Sequence, residues 1–163
     1  MLFRSWLDDR ENPDKKIDIG YVGEVIEVNV APLKECIWCG HTPVISPTAR
    51  GEDGKIYNCN ADVAAAMCAI ALNAKRLVFM SDVPGLMRDP KDPATLIAHL
   101  HTGEVPGLKA AGIVDKGMIP KVDSAVAAIK SGVEKVSFVD GRVPHSVMLE
   151  IFTDKGVGTE VVL

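Results

Sequence analysis

Ten residues decide the fold class of this chain: Leu77-Val78-Phe79-Met80-Ser81-Asp82-Val83-Pro84-Gly85-Leu86. The first four are apolar without interruption, which is typical of a strand buried on both faces within a parallel sheet. The polar residues, proline and glycine that follow predict a loop at the carboxyl end of this strand. Because open α/β sheets bind ligands beyond the carboxyl ends of their strands, Ser81 and Asp82 are candidate ligand contacts. An Asx-type turn is the structural alternative for the same two residues.

Strands and helices alternate on both sides of this stretch. A helix is predicted from Asn60 onward, because apolar residues recur at helical spacing, at Val63, Met67, Ile70, Ala71 and Ala74. Another helix is predicted to begin at Pro120, and the sequence Lys135-Val136-Ser137-Phe138-Val139 predicts a second strand. Alternating strands and helices indicate βαβ units and a mostly parallel sheet.

The remaining predicted elements are shorter. Two glycines within an alternating pattern predict a β-hairpin over residues 17–28. Short helices are predicted at 31–39, where Gly40 ends the helix, and near 94–101 and 144–152. A brief strand is predicted at 43–46, and a turn at 50–54 that leads the chain back through residues 55–57.

The composition limits the function classes. The 163 residues suit one domain, or one and part of another, and 47% hydrophobic with 25% charged residues is ordinary for a globular protein. The formal net charge is −4 and basic residues do not cluster, so we expect no nucleic-acid partner. No apolar run is long enough to span a membrane, and the first residues, Met1-Leu2-Phe3-Arg4, open no signal peptide. We therefore expect a cytoplasmic protein with no membrane partner.

Four cysteines are present, and two of them form the pair Cys36-Ile37-Trp38-Cys39. Such a pair can bind zinc or carry out redox chemistry. Here Cys59 and Cys68 lie far downstream and His41 stands alone, so the spacing of a zinc finger is not met. We interpret the cysteines as small core residues and predict no metal site on the protein.

The loop Tyr57-Asn58-Cys59-Asn60-Ala61-Asp62 precedes a predicted helix. Asn60 is a suitable N-cap, and Asp62 in the first helical turn complements the helix dipole, so helix formation alone accounts for both residues. It does not account for Asn58, whose amide group offers donors and an acceptor just outside the helix.

Lys121 occupies a position where a helix disfavours a cation. It follows Pro120 in the run Gly117-Met118-Ile119-Pro120-Lys121, and Pro120 suits the first helical position. A lysine in that first turn lies near the positive end of the helix dipole and costs about 0.3–1 kcal/mol when exposed. An anion such as a phosphate held at the helix start would remove this cost. A solvated surface lysine is the alternative. The chain contains neither the GxxxxGK[ST] nor the GxGxxG phosphate-binding pattern.

Several motifs in a fixed order resemble the C-terminal part of the N-acetylglutamate kinases, in the amino-acid kinase family. The resemblance runs from about Asp18 to the end of the chain. It implies an α/β fold, a three-layer αβα sandwich with a mainly parallel open sheet. The motifs are Gly20-Tyr21-Val22-Gly23-Glu24-Val25, Tyr57-Asn58-Cys59-Asn60-Ala61-Asp62, Ser81-Asp82-Val83-Pro84-Gly85, Gly117-Met118-Ile119-Pro120-Lys121, Asp140-Gly141-Arg142-Val143-Pro144-His145-Ser146 and Gly156-Val157-Gly158-Thr159.

The resemblance implies a reaction that moves the γ-phosphoryl group of ATP onto the side-chain carboxylate of N-acetyl-L-glutamate, in arginine biosynthesis. Lys121 would stabilise the transferring phosphoryl group, Asp62 would orient the lysines around it, and Asn58 would bind the acetylglutamate. Mg²⁺ would be carried with the ATP. The implied nucleotide contacts lie in two segments: Ser81, Asp82, Val83, Pro84, Gly85, Leu86 and Met87, and Ile113, Val114, Asp115 and Met118.

The stretch Gly20–Val25 and the C-terminal motifs also resemble the arginine-inhibited members of the family. They imply an L-arginine effector site formed by His145, Glu150, Gly156 and Gly158. A helix with an exposed acid at Glu150 and a capping histidine at His145 is the structural alternative. The intact protein is expected to be a homo-oligomer.

One departure from the family bears on activity. Family members begin with a glycine-rich strand and loop that carries a second catalytic lysine, and neither that loop nor the glycine pair after it is found here. We therefore expect a fragment that is inactive alone, with an exposed sheet edge and apolar face. Its expected divisions are a loose leader over residues 1–16, a remnant of the substrate lobe over 17–56, and an ATP-binding lobe over 57–163. A non-catalytic module that binds nucleotide or arginine is the alternative function.

Overall fold

The computed structural model describes residues 14–114 and 117–163, together with the backbone of residues 4–8. The chain folds as two compact units, which divide between Ala71 and Leu72.

The first unit contains a four-stranded sheet in the order β1-β2-β4-β3. Strand β1 pairs antiparallel with β2, β2 runs parallel to β4, and β3 and β4 form an antiparallel pair around the turn predicted at 50–54. The elements are β1 (Arg4–Asp8), β2 (Lys16–Gly23), α1 (Ala31–Trp38), β3 (Thr48–Arg50), β4 (Ile56–Asn58) and α2 (Ala61–Ala71).

The start of this unit differs from the prediction. Residues 1–16 were expected to be a loose leader, yet Arg4–Asp8 pairs as a strand with β2. The hairpin expected over 17–28 is wrong, because β2 runs through to Gly23 and its antiparallel partner precedes it. Gly20 has a φ of +78°, and the β1–β2 register shifts around it. A left-handed glycine therefore produces an irregularity in the strand pairing here and not a turn.

Three further predictions for the first unit differ from the structure. The segment 43–46 is irregular, and the strand begins later, at Thr48. The predicted apolar face of α2 is only partly covered, since Ala66 and Ala69 are buried and Val63 is exposed. The expected boundary after residue 56 also differs from the observed one. Tyr57 and Cys59 form a small core with Val25 and Ala49, which keeps β4 with the first unit, and that unit extends through α2 to Ala71.

Cys36 lies on α1 and Cys39 is its C-cap residue, and every residue of that helix is at least partly exposed. Cys39 is exposed and Cys36 half-buried, so the interpretation of this pair as core residues is wrong. The described residues contain no group of three or more metal-binding side chains.

The second unit contains a sheet in the order β5-β7-β8-β6. Strands β5 and β7 are parallel, β6 and β8 are parallel, and β7 and β8 are antiparallel. The elements are β5 (Arg76–Ser81), a single 3-10 turn (Pro93–Thr95), β6 (His99–His101), α3 (Val105–Ala110), α4 (Ile119–Lys130), β7 (Lys135–Asp140), α5 (Ser146–Phe152) and β8 (Thr159–Val162).

The predicted helix near 94–101 is wrong. Asp92 caps one 3-10 turn, accepting a hydrogen bond from the N–H of Ala94 at 2.9 Å. The chain then extends into β6, where Leu100 is fully buried and pairing with β8 satisfies the backbone. Strand pairing thus overrides a weak local helical pattern.

The core of the second unit lies between α4 and the sheet. Val122, Ala125 and Ile129 are buried on α4, as the helical spacing predicts, and the rings of Phe79 and Phe138 stack with centroids 5.5 Å apart. The expectation that β5 is buried on both faces is wrong, because Met80 is 56% exposed. Among the strands that the structure describes, β5 pairs only with β7 and is an edge strand of the sheet in the second unit. The exposed edge and apolar face expected for a fragment stay a prediction.

Candidate functional site

The loop after β5 begins with a turn closed by Ser81. Its hydroxyl donates to the carbonyl of Val83 at 3.0 Å and lies 3.4 Å from the nitrogen of Val83. The carbonyl of Ser81 accepts a hydrogen bond from the N–H of Gly141, at 2.8 Å, which ties the loop to the end of β7. The turn is therefore a serine turn, and Asp82 is left exposed at its tip.

The loop then passes close over β8. Gly85 has a φ of +151°, and a Cβ atom there would lie 2.5 Å from the hydroxyl oxygen of Thr159. The same hydroxyl accepts a hydrogen bond from the N–H of Leu86 at 2.9 Å. Leu86 is buried, and its carbonyl accepts from the N–H of Ile97 at 2.8 Å. Glycine is required at position 85 because a side chain would fill the space that the hydroxyl occupies.

Six of the predicted nucleotide contacts line one small cavity of about 60 Å³ at this end of the second unit. The volume is far below the roughly 300–1,000 Å³ of an enclosing ligand pocket, so the cavity can seat only part of a ligand. Pro90 also lines it and was not predicted as a contact; its place in a proline-bearing loop was the only sequence signal. The lining residues are Val83, Gly85, Leu86, Met87, Pro90, Ile113 and Met118.

Four other predicted nucleotide contacts are not among the described residues that line this cavity. Ser81 and Pro84 are half-buried within the loop and Asp82 is exposed, while Val114 is buried. Asp115 lies outside the described residues.

Helix α4 begins beside this cavity. Met118, its N-cap residue, is one of the lining residues, and Pro120 follows within the first two helical positions. Lys121 is half-buried in the first turn, as predicted. The first-turn N–H groups of a helix and its dipole favour an anion. The arrangement therefore places a lysine and the positive end of a helix next to the predicted nucleotide loop.

The end of β7 adds a pair of charges. Arg142 donates two side-chain hydrogen bonds to Asp140, from Nε to Oδ1 at 2.9 Å and from a terminal nitrogen to Oδ2 at 2.8 Å. These bonds lower the pKa of Asp140 to about 2. Asp140, and then Asp82, also raise the pKa of Arg142. The sequence prediction missed this pair, although the Asp-Gly-Arg spacing after a strand was visible.

Asn58 and Asp62 lie at the junction of β4 and α2 in the first unit. Asn58 is the exposed last residue of β4. Asn60 caps α2, its side-chain oxygen accepting from the N–H groups of Asp62 at 2.9 Å and Val63 at 3.1 Å. Asp62 is half-buried in the first turn. The predicted N-cap is confirmed.

A second cavity, of about 310 Å³, lies at the amino ends of β5, β6 and β7. It brings together three of the predicted effector residues, Glu150, Gly156 and Gly158. Glu150 is buried, and its Oε2 accepts from the N–H groups of Val157 at 2.8 Å and Gly158 at 3.2 Å. The alternative of an exposed acid at position 150 is therefore wrong.

His145 lies elsewhere. It is the exposed N-cap residue of α5, with a φ of +60°. The described residues that line the cavity do not include it. Its backbone carbonyl accepts from the N–H of Leu149, and no side-chain capping bond is made within this described segment. The capping histidine is therefore also wrong as an interpretation.

The second cavity is strongly charged. Lys135 donates to Glu160 Oε1 at 2.8 Å, and His99 Nδ1 lies 3.4 Å from Glu160 Oε2. Burial raises the pKa of Glu160, but the hydrogen bond and the charge of Lys135, with smaller effects of other cations, outweigh it and lower that pKa overall. The side chains of Arg76, Lys155 and Asp154 complete the charged lining.

A sequence model described as the amino acid kinase family matches residues 2–140. The chain belongs to the amino acid kinase family. The expected α/β amino acid kinase fold is confirmed by solved structures. N-acetylglutamate synthase from Neisseria gonorrhoeae, solved with coenzyme A and L-arginine, matches 90% of this chain and 33% of its own, with a TM-score of 0.80 and 28% identity.

Relatives in sequence confirm the resemblance to acetylglutamate kinases within this family. The acetylglutamate kinase of Clostridium beijerinckii is 52% identical over 145 residues, which cover 88% of this chain and 51% of that protein. The acetylglutamate kinase of Moorella thermoacetica is 45% identical over 153 residues, covering 94% of this chain and 52% of that protein. The chain thus spans about half the length of these curated relatives. No helix in its described part is long and apolar enough to cross a membrane.

Proposed function

We propose that this chain is the nucleotide-binding part of an acetylglutamate kinase, which transfers the γ-phosphoryl group of ATP to the side-chain carboxylate of N-acetyl-L-glutamate. One observation carries the proposal. Predicted nucleotide contacts from separate parts of the sequence line a single cavity, and α4 begins beside it with Lys121 in its first turn. The acetylglutamate kinases that the chain resembles supply the identity of the acceptor.

The chemistry suits these residues. A glutamate carboxylate, with a pKa of about 4.3, is already ionised at neutral pH, so its attack on phosphorus needs no general base. The protein must hold two anions in line and stabilise charge as it moves onto the transferring group. We assign that stabilisation to Lys121 and the start of α4.

The first unit supplies the other proposed roles. Asn58 offers amide donors for the carboxylates of acetylglutamate, and Asp62 keeps the orienting role that the resemblance to the kinases implies. Mg²⁺ arrives with ATP, held largely by the phosphate oxygens, as magnesium commonly is in kinases. We place the protein in the cytoplasm, where ATP is available, and the homo-oligomer of the intact protein stays a prediction.

Calorimetric titration with a non-hydrolysable ATP analogue and Mg²⁺ tests the nucleotide site. Val83→Asp places a carboxylate in the cavity beside the phosphates and should weaken binding about tenfold or more. Val44→Asp, at a position that is 96% exposed in the first unit, is the matched control and should bind like the unmodified chain. Absence of binding by the unmodified chain, or equal binding by all three proteins, would contradict the proposed site.

Trapping the acyl phosphate with hydroxylamine separates the kinase from the non-catalytic alternative. Hydroxamate formed only when ATP and acetylglutamate are both present identifies the kinase reaction. Nucleotide binding without hydroxamate supports the binding module for the chain alone.

A second candidate function is recognition of L-arginine in the 310 Å³ cavity, favoured by the buried carboxylate of Glu150 and the surrounding cations. A guanidinium group would face the carboxylates, and an α-carboxylate would face Arg76 or Lys155. Calorimetry with L-arginine should show binding that Glu150→Gln weakens about tenfold and that Glu134→Gln, at an exposed position, leaves unchanged. Equal arginine binding by both variants would exclude a role for Glu150.

A further inference from the structure

Thr159 occupies an unusual place for a strand residue. It begins β8, is fully buried and pairs with Phe138 of β7. A β-branched residue is ordinary in a strand, and its methyl group and backbone would suffice for packing. Its hydroxyl, however, is directed at the loop that follows β5 and not at its own strand. There it accepts the hydrogen bond from the N–H of Leu86.

This hydrogen bond lies at the centre of the nucleotide loop. Val83, Gly85, Leu86 and Met87 all line the 60 Å³ cavity, and the N–H of Leu86 is buried among them. The loop is held at its start by the serine turn of Ser81 and at Leu86 by Thr159. The residues between these two points are therefore fixed at both ends.

Gly85 also lies close to Thr159, next to the hydrogen bond made by Leu86. A Cβ atom at that position would lie 2.5 Å from the hydroxyl oxygen of Thr159 and 3.1 Å from its backbone nitrogen. The loop thus lies directly on the first residue of β8, and the left-handed glycine permits that approach. The hydroxyl fills the space that a side chain at position 85 would otherwise take.

We propose that Thr159 is a positioning residue for nucleotide recognition, whose hydroxyl holds the loop of residues 83–87 in its binding conformation. This inference rests on the proposed nucleotide site. Removal of the hydroxyl leaves the buried N–H of Leu86 without its acceptor, which favours loop conformations that reach water. A ligand that needs the ordered loop then binds more weakly, because only part of the population presents it.

Three variants test the proposal. Thr159→Val removes the hydroxyl with little change of shape, Thr159→Ser keeps the hydroxyl and removes the methyl group, and Val161→Ala destabilises the same strand at a buried position away from the loop. Two quantities are measured: the dissociation constant of the ATP analogue by calorimetry, and the exchange rate of the Leu86 amide by NMR.

We expect Thr159→Val to raise the dissociation constant about tenfold and to speed exchange at Leu86 by at least about tenfold. Thr159→Ser should restore both to within about twofold. Val161→Ala should lower the melting temperature and leave the dissociation constant unchanged. If Thr159→Val does not fold, the dissociation constant and the Leu86 exchange rate are compared between Thr159→Ala, which lacks the hydroxyl, and Thr159→Ser, which keeps it.

The proposal is overturned if Leu86 stays protected and nucleotide affinity is retained in Thr159→Val. It is also overturned if Val161→Ala weakens binding as much, since the effect would then be general destabilisation. Failure of the unmodified chain to bind nucleotide would contradict the proposed function alone. The exchange rate of Leu86 would then still decide whether the Thr159 hydroxyl fixes the loop.

Discussion

The two ends of the sheet in the second unit present opposite kinds of site. At the carboxyl ends of β5 and β7, a small, largely apolar cavity adjoins the start of α4, and recognition would depend on backbone groups, a helix dipole and one lysine. At the amino ends, a cavity five times larger in volume is lined by charged side chains around the buried Glu150. The two proposed functions therefore assign a phosphate group to one end of this sheet and a charged effector to the other.

The largest expected effect belongs to the carboxyl end. If the kinase reaction is detected for this chain, Lys121→Ala should reduce the rate of hydroxamate formation about 10²–10³-fold, because a positive charge that stabilises the transferring phosphoryl group is lost. Lys130→Ala, at the exposed C-terminal end of the same helix, is the matched control and should change the rate less than about twofold. Equal losses in both variants would attribute the effect to α4 as a whole and remove Lys121 from its role.

A substitution of Gly158 tests how closely the chain before β8 packs against β7 at the charged end of the sheet. A Cβ atom there would lie 1.9 Å from the carbonyl oxygen of Phe138, so Gly158→Ala should destabilise the fold by about 3 kcal/mol. Gly103→Ala is the control, since a Cβ atom there would meet open space among the described residues. Urea denaturation measures both free energies of unfolding. A cost below about 1 kcal/mol for Gly158→Ala would mean that β8 can shift away from β7.

Glu150 distinguishes structure from ligand binding at the same end. Glu150→Ala leaves the N–H groups of Val157 and Gly158 without their acceptor and should cost about 2 kcal/mol of unfolding free energy. The affinity for the ATP analogue should change less than about twofold if the two ends act separately. A tenfold weaker nucleotide affinity would instead show that the two ends are coupled through β8.

The smallest expected effect is a pH dependence at the carboxyl end. The bond from Arg142 lowers the pKa of Asp140 from 3.8 to about 2, so the ionised pair stabilises the folded state above pH 4. That contribution is lost as the pH falls through about 2. Asp140→Asn should therefore lower the melting temperature at pH 6, and its difference from the unmodified chain should narrow between pH 4 and pH 2. A constant difference across this range would contradict the assignment.

The sequence predicts well where local patterns and packing agree. The helical spacing of Val122, Ala125 and Ile129 locates α4, because these residues are buried against the sheet. The apolar run 77–80 locates β5 but does not predict its burial correctly, since Phe79 is the buried residue of that run. The segment 94–101 fails because β6 depends on pairing with the distant β8, which no local pattern encodes. Met80 is exposed for the same kind of reason: burial of an edge strand depends on its neighbours.

The same distinction applies to the candidate site. Motifs and resemblance predict the contacts in the loop 81–87, Met118 and Lys121. Six of the predicted nucleotide contacts line one cavity in the structure. Thr159 belongs to one of the motifs, but the sequence predicts no role for its hydroxyl, because the hydrogen bond to Leu86 joins residues 73 positions apart. The bidentate bond of Arg142 to Asp140 depends on side-chain conformations that spacing alone does not determine.

Hydrogen exchange of the whole chain, with and without the ATP analogue and Mg²⁺, tests the central claim most directly. If nucleotide binds at the carboxyl end, protection should increase at residues 83–87 and at the first turn of α4, and residues 153–158 should exchange as before. Protection confined to residues 153–158, or protection at neither end, would contradict the assignment of the nucleotide to the cavity beside Lys121.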